Sequence, residues 1–288
     1  MMEYGHGGDI YRNRNVELDF SVNVNPLGMP NFVWEAAQRS IAFCTGYPDS
    51  SCENLRGRLS ELIGVPEDQM IFGNGAAELI FRLVQEVRPK KAVIPAPSFA
   101  EYETALRSCG TEIAFFYLKE AESFFLNVSE FLDFLRTEQP EIIFLCTPAN
   151  PTGAMIRQAD LSKILDYCKK HGILLVLDEC FVEFLDEERS CGCIREFLDW
   201  ETGRPEHGGS LFLLRAFTKT YAMAGLRLGY LMTGDLSLLH AVAQQLPEWN
   251  VSSIAQRAGI SALQDTEYEK RTRQLIEKER RYLIQEFL

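Results

Sequence analysis

The sequence predicts an α/β protein built on a mostly parallel β-sheet with helices covering both faces. Two observations support this prediction. Between residues 91 and 177, short aliphatic runs of strand length alternate with longer segments that have helical apolar spacing. The chain, at 288 residues with 46% hydrophobic and 24% charged residues, is also long enough for one large domain and a small appendage. In such a sheet ligands gather at the carboxyl ends of the strands.

The alternation assigns elements along the chain. Helical spacing covers 32–44 and 53–63, with a turn at Pro48-Asp49 between them, and a further helix covers 79–87. Beyond these, the pattern predicts strands at 91–95, 113–118, 141–146 and 173–177, with helices at 99–109, 129–138 and 158–171. The apolar run 211–214 predicts another buried strand. From Val251 onward, charged residues with apolar spacing predict one long helix.

Composition excludes several classes of function. A formal net charge of -12 argues against duplex nucleic acid or an anionic membrane as the main partner, because both would repel the chain. No apolar run approaches the about 18 residues of a spanning helix, and the first residues do not form a signal peptide, so we expect a cytoplasmic protein. The 8 cysteines include no Cys-x-x-Cys pair. We therefore predict no metal site and no disulfides, with Cys191 and Cys193 as reduced loop thiols.

The segment 215–230 holds the clearest candidate for chemistry. Lys219 follows the predicted strand 211–214 where the chain turns, beside a hydroxyl at Thr218 and eight residues before the cation Arg227. Burial among apolar neighbours and a second cation would lower the pKa of this lysine, and a neutral amine can attack an aldehyde. A single lysine at such a place is usually a solvated loop residue, so the interpretation depends on other residues.

With Lys219 followed by Gly225-Leu226-Arg227-Leu228-Gly229-Tyr230, the sequence resembles the pyridoxal-phosphate enzymes of the aspartate aminotransferase fold type, class I and II. The resemblance covers essentially the whole chain. It implies pyridoxal 5'-phosphate as the cofactor, Lys219 as its covalent attachment point and Arg227 as a ligand of its phosphate. It further implies an N-terminal arm with part of a small domain at 1–45, the cofactor-binding large domain at 46–250, and at 251–288 a long helix leading to a missing C-terminal small domain.

A phosphate site is predicted where Gly73 and Gly75 allow a tight turn before a helix. Free N–H groups of Ala76 and Ala77 would bind an anion there, with Gly75 permitting its close approach. A Gly-x-Gly before a helix could equally indicate a dinucleotide site. The absence of a strand, Gly-rich turn and helix unit with an acidic residue about 20 positions further on disfavours that alternative.

Asn150 and Asp178 follow or end predicted strands. A carboxylate at Asp178 would keep a pyridine nitrogen protonated so that the ring accepts electrons, and an amide at Asn150 would donate to the phenolic oxygen. An aspartate buried at a strand end would otherwise be unfavourable without a partner. Their order along the chain, before Lys219 and Arg227, agrees with the family.

Two aromatic residues match family positions. Phe99 occupies the position whose ring stacks on the pyridine, although an ordinary core position is the alternative. Tyr47, in Tyr47-Pro48, corresponds to a tyrosine that reaches across a dimer interface to the neighbouring subunit's cofactor phosphate. It therefore implies a homodimer, while local packing beside the turn is an equally good interpretation.

The N-terminal segment 5–28 is dense in glycine and asparagine, which is typical of turn-rich backbone with exposed amides. His6-Gly7-Gly8 followed by the run 19–28, with its Asn25-Pro26-Leu27-Gly28, resembles the threonine-phosphate decarboxylases, a subgroup close to the histidinol-phosphate aminotransferases. In that subgroup the segment crosses the mouth of the active site. The resemblance therefore implies His6 and Asn25 as substrate contacts.

The sequence also departs from the family. Phe181 stands where many aminotransferases have a tyrosine on the cofactor's phenolic oxygen, a change seen in the decarboxylase subgroup. Ala216 stands where many relatives have a serine or threonine for the phosphate, which leaves Thr218 as the hydroxyl. The C-terminal small domain, with its arginine for the substrate carboxylate, is missing from the expected pattern.

Three functional hypotheses follow. The first is a pyridoxal-phosphate enzyme acting on a phosphorylated amino acid, most simply decarboxylating L-threonine phosphate to aminopropanol phosphate, with Lys219 and Asp178 as catalytic residues. A transaminase similar to histidinol-phosphate aminotransferase would use the same cofactor contacts. The hypothesis from a different class is a truncated, non-catalytic remnant that only binds the cofactor.

Overall fold

The computed structural model describes residues 7–185 and 211–287. Its strands form one sheet in the order β1-β7-β6-β5-β4-β2-β3. They are β1 Met70–Asn74, β2 Lys91–Ala96, β3 Glu112–Tyr117, β4 Ile142–Cys146, β5 Leu174–Asp178, β6 Leu211–Ala216 and β7 Leu228–Met232. Within these described strands, β7 runs antiparallel to β1 and β6, and the remaining neighbours pair in parallel. The prediction of a mostly parallel sheet is confirmed.

Helices pack on both faces of this sheet. They are α1 Asn31–Ser40, α2 Glu53–Ile63, α3 Ala76–Val87, α4 Ala100–Ser108, α5 Val128–Glu138, α6 Gln158–His171, the single turn α7 Phe217–Thr220, α8 Leu236–Gln245, α9 Ser253–Ala262 and α10 Thr266–Phe287. Alternate residues of β5 enter different cores: Leu175 and Leu177 join one hydrophobic cluster, and Leu174 and Val176 join the other. Because strand side chains alternate between faces, this division places a core on each side.

The structure corrects the predicted helix from Val251. Two helices stand there, α9 ending at Ala262 and α10 beginning at Thr266. Asp265 explains the break, because its Oδ1 accepts hydrogen bonds from the backbone N–H groups of Glu267 and Tyr268. An aspartate that caps a helix start favours a new helix over continuation of the old one. Similarly, α1 ends at Ser40 and a 3-10 turn over 41–43 takes the rest of the predicted helix.

A strand, glycine turn and helix unit occurs at β1, Gly75 and α3. The residues 93–97, about 20 positions further on, include no acidic residue, as the sequence indicated. The context of this unit also differs from a dinucleotide site. The strand β1 lies at the edge of the sheet and pairs only with the antiparallel β7 among the described strands. Because a dinucleotide fold needs parallel neighbours joined by crossovers, this topology is a second argument against such a site.

Further sequence predictions concern membranes, metals and cysteines. None of the helices in the described ranges is both long enough and apolar enough to cross a membrane. The same residues contain no group of three His, Cys, Asp or Glu side chains that could hold a metal ion. Cys191 and Cys193 lie outside the described residues. The three-part division at 1–45, 46–250 and 251–288 stays a prediction.

Parallel pairing brings several chain segments to one edge of the sheet. The strands β1, β2, β4, β5 and β6 all end there, and the reversed strand β7 begins there. The residues that follow the first five strands and precede the last must therefore meet. We call this the carboxyl edge.

Candidate active site

A cavity of about 100 Å³ lies at the carboxyl edge. Most of the cofactor contacts predicted from sequence line it together. The lining residues are Ala76, Ala77, Phe99, Cys146, Asn150, Asp178, Cys180, Phe181, Ala216, Thr218, Lys219, Ala224 and Arg227. These residues come from segments that are far apart in sequence, and the sheet topology alone explains their meeting.

Lys219 lies in the helical turn α7, directly after β6. Burial lowers the pKa of Lys219 and the Arg227 cation lowers it further, while Cys180 and Asp178 act in the opposite direction. Its Nζ lies 5.7 Å from the centre of the Phe181 ring. The amine is therefore neutral at a lower pH than an ordinary lysine, which is the state that attacks an aldehyde.

Asp178 ends β5 and is 5% exposed. Its Oδ2 accepts a hydrogen bond from the Tyr102 hydroxyl at 2.6 Å, and its Oδ1 accepts one from the Cys180 N–H at 2.9 Å. Burial raises the pKa of Asp178, and the hydrogen bonds from Cys180 and Tyr102 oppose that rise. Each carboxylate oxygen can accept a further bond. A cationic N–H donor in the cavity would complete this buried acceptor set.

Sequence reasoning missed Tyr102. It lies on the first turn of α4, three residues after Phe99, so both rings project from neighbouring positions. The Tyr102 ring stacks on Phe144 with centroids 4.9 Å apart and meets Phe99 edge-on at 5.6 Å. The spacing of two aromatics at a helix start is visible in the sequence and could have indicated Tyr102. The contact with Asp178 cannot be predicted from sequence, because it depends on how α4 packs against the sheet.

We expect Tyr102→Phe to weaken cofactor binding about tenfold, the factor that one pKa unit represents. Removing the hydroxyl takes away a hydrogen bond that favours the ionised carboxylate, so the pKa of Asp178 rises. The loss should be largest at low pH and shrink as the pH rises through that pKa. Cofactor titrations across pH measure this. Tyr117→Phe is the matched control, since Tyr117 is exposed; equal affinity of the Tyr102 and Tyr117 variants at every pH would contradict the prediction.

A cradle lined by glycine forms at the predicted phosphate site, where β1 and β7 pair. Their register places Gly73 opposite Gly229, so Gly229 lies against the start of α3. A Cβ on Gly229 would come 2.5 Å from the Ala76 nitrogen. Gly75 has a φ of +79°, and a Cβ there would collide with the Arg227 guanidinium. Only glycine at both positions lets the guanidinium and the helix N-terminus face one small space.

Gly229→Ala should disturb this cradle. The new Cβ would meet backbone atoms of Gly75 and Ala76, which cannot rotate away as a side chain would. Overpacking of this kind costs about 1–3 kcal/mol. We expect a lower melting temperature and weaker binding of the cofactor phosphate, measured by thermal unfolding and by titration. Gly225→Ala in the same motif is the control, because a Cβ there meets nothing within 4 Å. Equal effects of the two substitutions would contradict this account.

The remaining predicted residues lie elsewhere. Tyr47 does not line this cavity; it is 79% exposed and stacks on Trp249 with ring centroids 4.1 Å apart. Asn25 is buried, and its amide binds Thr220 and Thr272 rather than facing the cavity. His6 lies outside the described residues. The roles predicted for these three stay predictions.

A buried ion-pair network lies next to the site and was also missed. Arg215 Nη2 lies 2.6 Å from Glu179 Oε2, and its Nη1 lies 3.7 Å from Glu183 Oε1. Burial raises the pKa of Glu183 to about 7, although Arg215 opposes this. The register of β5 and β6 explains the pair of Arg215 and Glu179, because Asp178 lies opposite Leu214 and the residues that follow these two along the chain are therefore neighbours. A sequence analysis that predicts this register could have found the pair.

The donor set of the cavity fits a phosphorylated aromatic aldehyde. It combines a lysine of lowered pKa, a buried carboxylate with open acceptor positions, and a glycine cradle beside an arginine. With the sheet that carries it, this arrangement defines a pyridoxal-phosphate-dependent enzyme. The family model described as aminotransferase class I and II matches residues 15–287, and the chain belongs to this family.

Individual relatives agree with this assignment. A threonine-phosphate decarboxylase of Salmonella typhimurium is 36% identical over 93% of this chain and 72% of that protein. A histidinol-phosphate aminotransferase of Methanosarcina barkeri is 31% identical over 91% of this chain and 67% of that protein. The crystal structure of the histidinol-phosphate aminotransferase from Clostridium acetobutylicum superimposes with a TM-score of 0.82 at 28% identity, covering 93% of this chain and 76% of that chain. The predicted family, fold and cofactor are confirmed.

Proposed function

We propose that the protein acts on a phosphorylated amino acid and that its reaction is the decarboxylation of L-threonine phosphate to aminopropanol phosphate. The observation that carries this proposal is the 36% identity to the Salmonella typhimurium decarboxylase over nearly the whole chain. Phe181 at the cavity wall, in place of the tyrosine of many aminotransferases, supports the same subgroup. Family membership favours an enzyme over the non-catalytic remnant considered from the sequence.

Different cavity residues would bind different parts of the cofactor. Arg227, the N–H groups of Ala76 and Ala77, and the Thr218 hydroxyl would bind the phosphate. Asp178 would hold a proton on the pyridine nitrogen, and Asn150 would donate to the phenolic oxygen. Phe99 would stack on the ring. When bound, pyridoxal phosphate supplies an aldehyde that captures the substrate amine and a ring that accepts the electrons of the broken bond.

Lys219 then has two tasks. Its amine would hold the cofactor, and once released it would take up or return a proton. The lowered pKa of Lys219 suits both tasks, because the amine is neutral in a larger fraction of molecules. Phe181 offers no hydroxyl near Nζ, so proton transfer falls to the lysine itself.

With pyridoxal phosphate bound, substrate orientation would decide which bond passes its electrons to the ring. Side chains that align the bond to the substrate carboxylate with the π system of the ring would favour loss of CO2. Side chains that align the Cα–H bond instead would favour transamination. The same Lys219 and Asp178 serve both outcomes, so substrate orientation separates the two candidate functions.

Transamination is the second candidate, favoured by the 31% identity to the Methanosarcina barkeri aminotransferase and the TM-score of 0.82 to the Clostridium acetobutylicum structure. The test incubates the loaded protein with L-threonine phosphate, and separately with histidinol phosphate and 2-oxoglutarate. CO2 and glutamate are measured in both. We expect CO2 only from the first mixture. Glutamate formation without CO2 would replace the decarboxylase proposal, and Lys219→Ala serves as the background control.

A homodimer is typical of the family, and we propose one here in which Tyr47 completes the partner subunit's site. Exposed aromatics around Tyr47 support a covered face, because Trp249 stacks on Tyr47 and Phe43 lines the same surface cavity as Tyr47. Mixing Tyr47→Ala and Lys219→Ala subunits gives heterodimers with one intact site, so about a quarter of the wild-type activity should return after random exchange. Sedimentation velocity gives the oligomeric state. No recovery in a mixture shown to exchange subunits would contradict the shared site.

A further inference from the structure

Three remote segments meet at the backbone of Lys219. The Asn25 N–H donates to the Lys219 carbonyl at 3.2 Å. The Asn25 side-chain amide donates to the Thr220 carbonyl and to the Thr272 hydroxyl oxygen, both at 2.7 Å. Thr220 and Thr272, which lie 195 and 247 positions further along the sequence than Asn25, are thereby joined to the N-terminal arm. We call Asn25, Thr220 and Thr272 the clasp.

The clasp is buried and its donors are fully used. Asn25 is 3% exposed and Thr272 is 0% exposed. The amide has two N–H donors, and one goes to each of the two partners. Its Oδ1 accepts from the Leu27 N–H at 3.0 Å. An amide bonded in this way has no donor left for a substrate.

The helix α10 holds the clasp from the other side. The Thr272 hydroxyl donates its own hydrogen to the Tyr268 carbonyl at 2.9 Å, which leaves its oxygen to accept from Asn25. The Tyr268 hydroxyl donates to the Gly28 carbonyl at 2.6 Å, and the Gly28 N–H donates to the Asn25 carbonyl at 3.0 Å. These side-chain hydrogen bonds join the N-terminal arm to α10 at two points. Of the two, only the clasp involves α7, the helical turn that carries Lys219.

The clasp satisfies backbone groups that the short turn cannot. The helix α7 spans only Phe217–Thr220, so its last carbonyls lie beyond its own hydrogen-bonding pattern. The Lys219 carbonyl also accepts from the Ala222 N–H at 3.3 Å, so the Asn25 side chain matters chiefly for the Thr220 carbonyl. A buried carbonyl that loses its donor is unfavourable, and loss of the Asn25 side chain would draw water towards Thr220 or shift the turn. Either change moves the backbone that carries the Lys219 side chain.

We propose that Asn25 is a positioning residue, which fixes the backbone of Lys219 and Thr220 to α10 so that the Lys219 amine points into the cavity. This role differs from the substrate contact that the family resemblance implied for Asn25. The inference rests on the function proposed above only in taking Lys219 as the reacting group. It predicts that Asn25 matters before any substrate is present.

The test therefore measures the reactivity of the Lys219 amine in the absence of substrate. Asn25→Ala removes the two side-chain bonds of the clasp and keeps the backbone N–H bond to the Lys219 carbonyl. Asn25→Asp keeps the shape of the side chain but places an oxygen against the Thr220 carbonyl. In the cofactor-free protein, the pH dependence of Lys219 labelling by an amine-reactive reagent is followed by peptide mass spectrometry. We expect the labelling midpoint to rise by about one unit in both variants, because a loosened turn exposes the amine to water. Capture of pyridoxal phosphate at neutral pH should slow about tenfold, since the neutral fraction falls by that factor.

Tyr268→Phe is the matched control. It removes the other bond between the N-terminal arm and α10 but keeps the ring that stacks on Tyr221 directly after α7. It should therefore lower the melting temperature and leave the Lys219 midpoint unchanged. If an Asn25 variant fails to fold, Thr272→Val and Thr272→Ser form a second pair, in which Val should shift the midpoint and Ser should not. Circular dichroism checks the fold of each variant.

Two results would overturn the inference. An unchanged Lys219 midpoint and capture rate in the Asn25 variants, with a raised KM for the substrate, would make Asn25 a substrate contact. Equal losses of melting temperature in the Asn25 and Tyr268 variants with no midpoint change would make the clasp purely structural. Failure of the wild-type protein to release CO2 from L-threonine phosphate would count against the proposed reaction alone, because the labelling experiment uses neither substrate nor cofactor.

Discussion

Replacing Lys219 by alanine should abolish covalent capture of pyridoxal phosphate and reduce turnover by several orders of magnitude. The variant loses both the attacking amine and the group that moves the proton. Reversible binding should remain, because Arg227, Asp178 and the start of α3 would contact the cofactor without a covalent bond. Absorption spectra and borohydride reduction followed by peptide mass spectrometry measure the two effects separately.

Lys119→Ala is the control for this substitution. Lys119 is half exposed, pairs with Glu122 and Glu130, and does not line the cavity. The reduced adduct should appear on Lys219 in the wild type and in the Lys119 variant. A borohydride-stable adduct on another lysine of the Lys219→Ala protein would show that the attachment point has been assigned to the wrong residue.

Local signals explain which elements the sequence predicted well. The helix limits 53–63 and 158–171 agree with α2 and α6. Both helices end at a glycine, Gly64 and Gly172, with φ of +74° and +68°. A left-handed residue after the last turn is a stop signal that only nearby residues determine. Such boundaries can therefore be predicted without knowing the fold.

The strands β1 and β7 were harder to predict because they are short and each contains a glycine. Gly73 and Gly229 weaken the strand pattern, yet they are needed where β7 approaches the start of α3. In the sequence the two glycines are recognisable only as parts of motifs. The antiparallel pairing explains their positions, because it brings the backbone of Gly229 close to the backbone of Gly75 and Ala76.

The meeting of the cavity residues was predictable, whereas the contacts that support them were not. Asn150, Asp178 and Lys219 each follow or end a strand, and parallel strands bring such residues to one edge. The Tyr102 contact with Asp178 spans 76 positions, and the clasp spans 247. These depend on the packing of helices against the sheet, for which a single sequence carries no direct signal. Supporting residues therefore needed the structure.

Asp178→Asn separates an enzyme that uses the cofactor ring from a protein that merely holds a phosphate. The fold should survive, because the amide has nearly the same volume and the Tyr102 hydroxyl can turn to accept from the new NH2 group. The phosphate contacts proposed for Arg227 and Ala76 should be unaffected. Turnover should nevertheless fall by orders of magnitude, because an amide cannot stabilise a proton on the pyridine nitrogen electrostatically. Each ~1.4 kcal/mol lost from the transition state is a factor of ten in rate.

The decisive measurement compares the cofactor Kd and kcat of this variant with those of Asp160→Asn. Asp160 on α6 is similarly buried, but it pairs with Arg157 and Lys163 and does not line the cavity. We expect Asp160→Asn to cost stability while kcat stays near wild type, and Asp178→Asn to lower kcat far more than it weakens cofactor binding. Phosphate contacts that do not involve Asp178 supply much of the affinity, whereas the ring depends on this carboxylate alone among the described cavity residues for a negative charge at its nitrogen. Near wild-type turnover in Asp178→Asn would make Asp178 a structural carboxylate held by Tyr102 and Cys180.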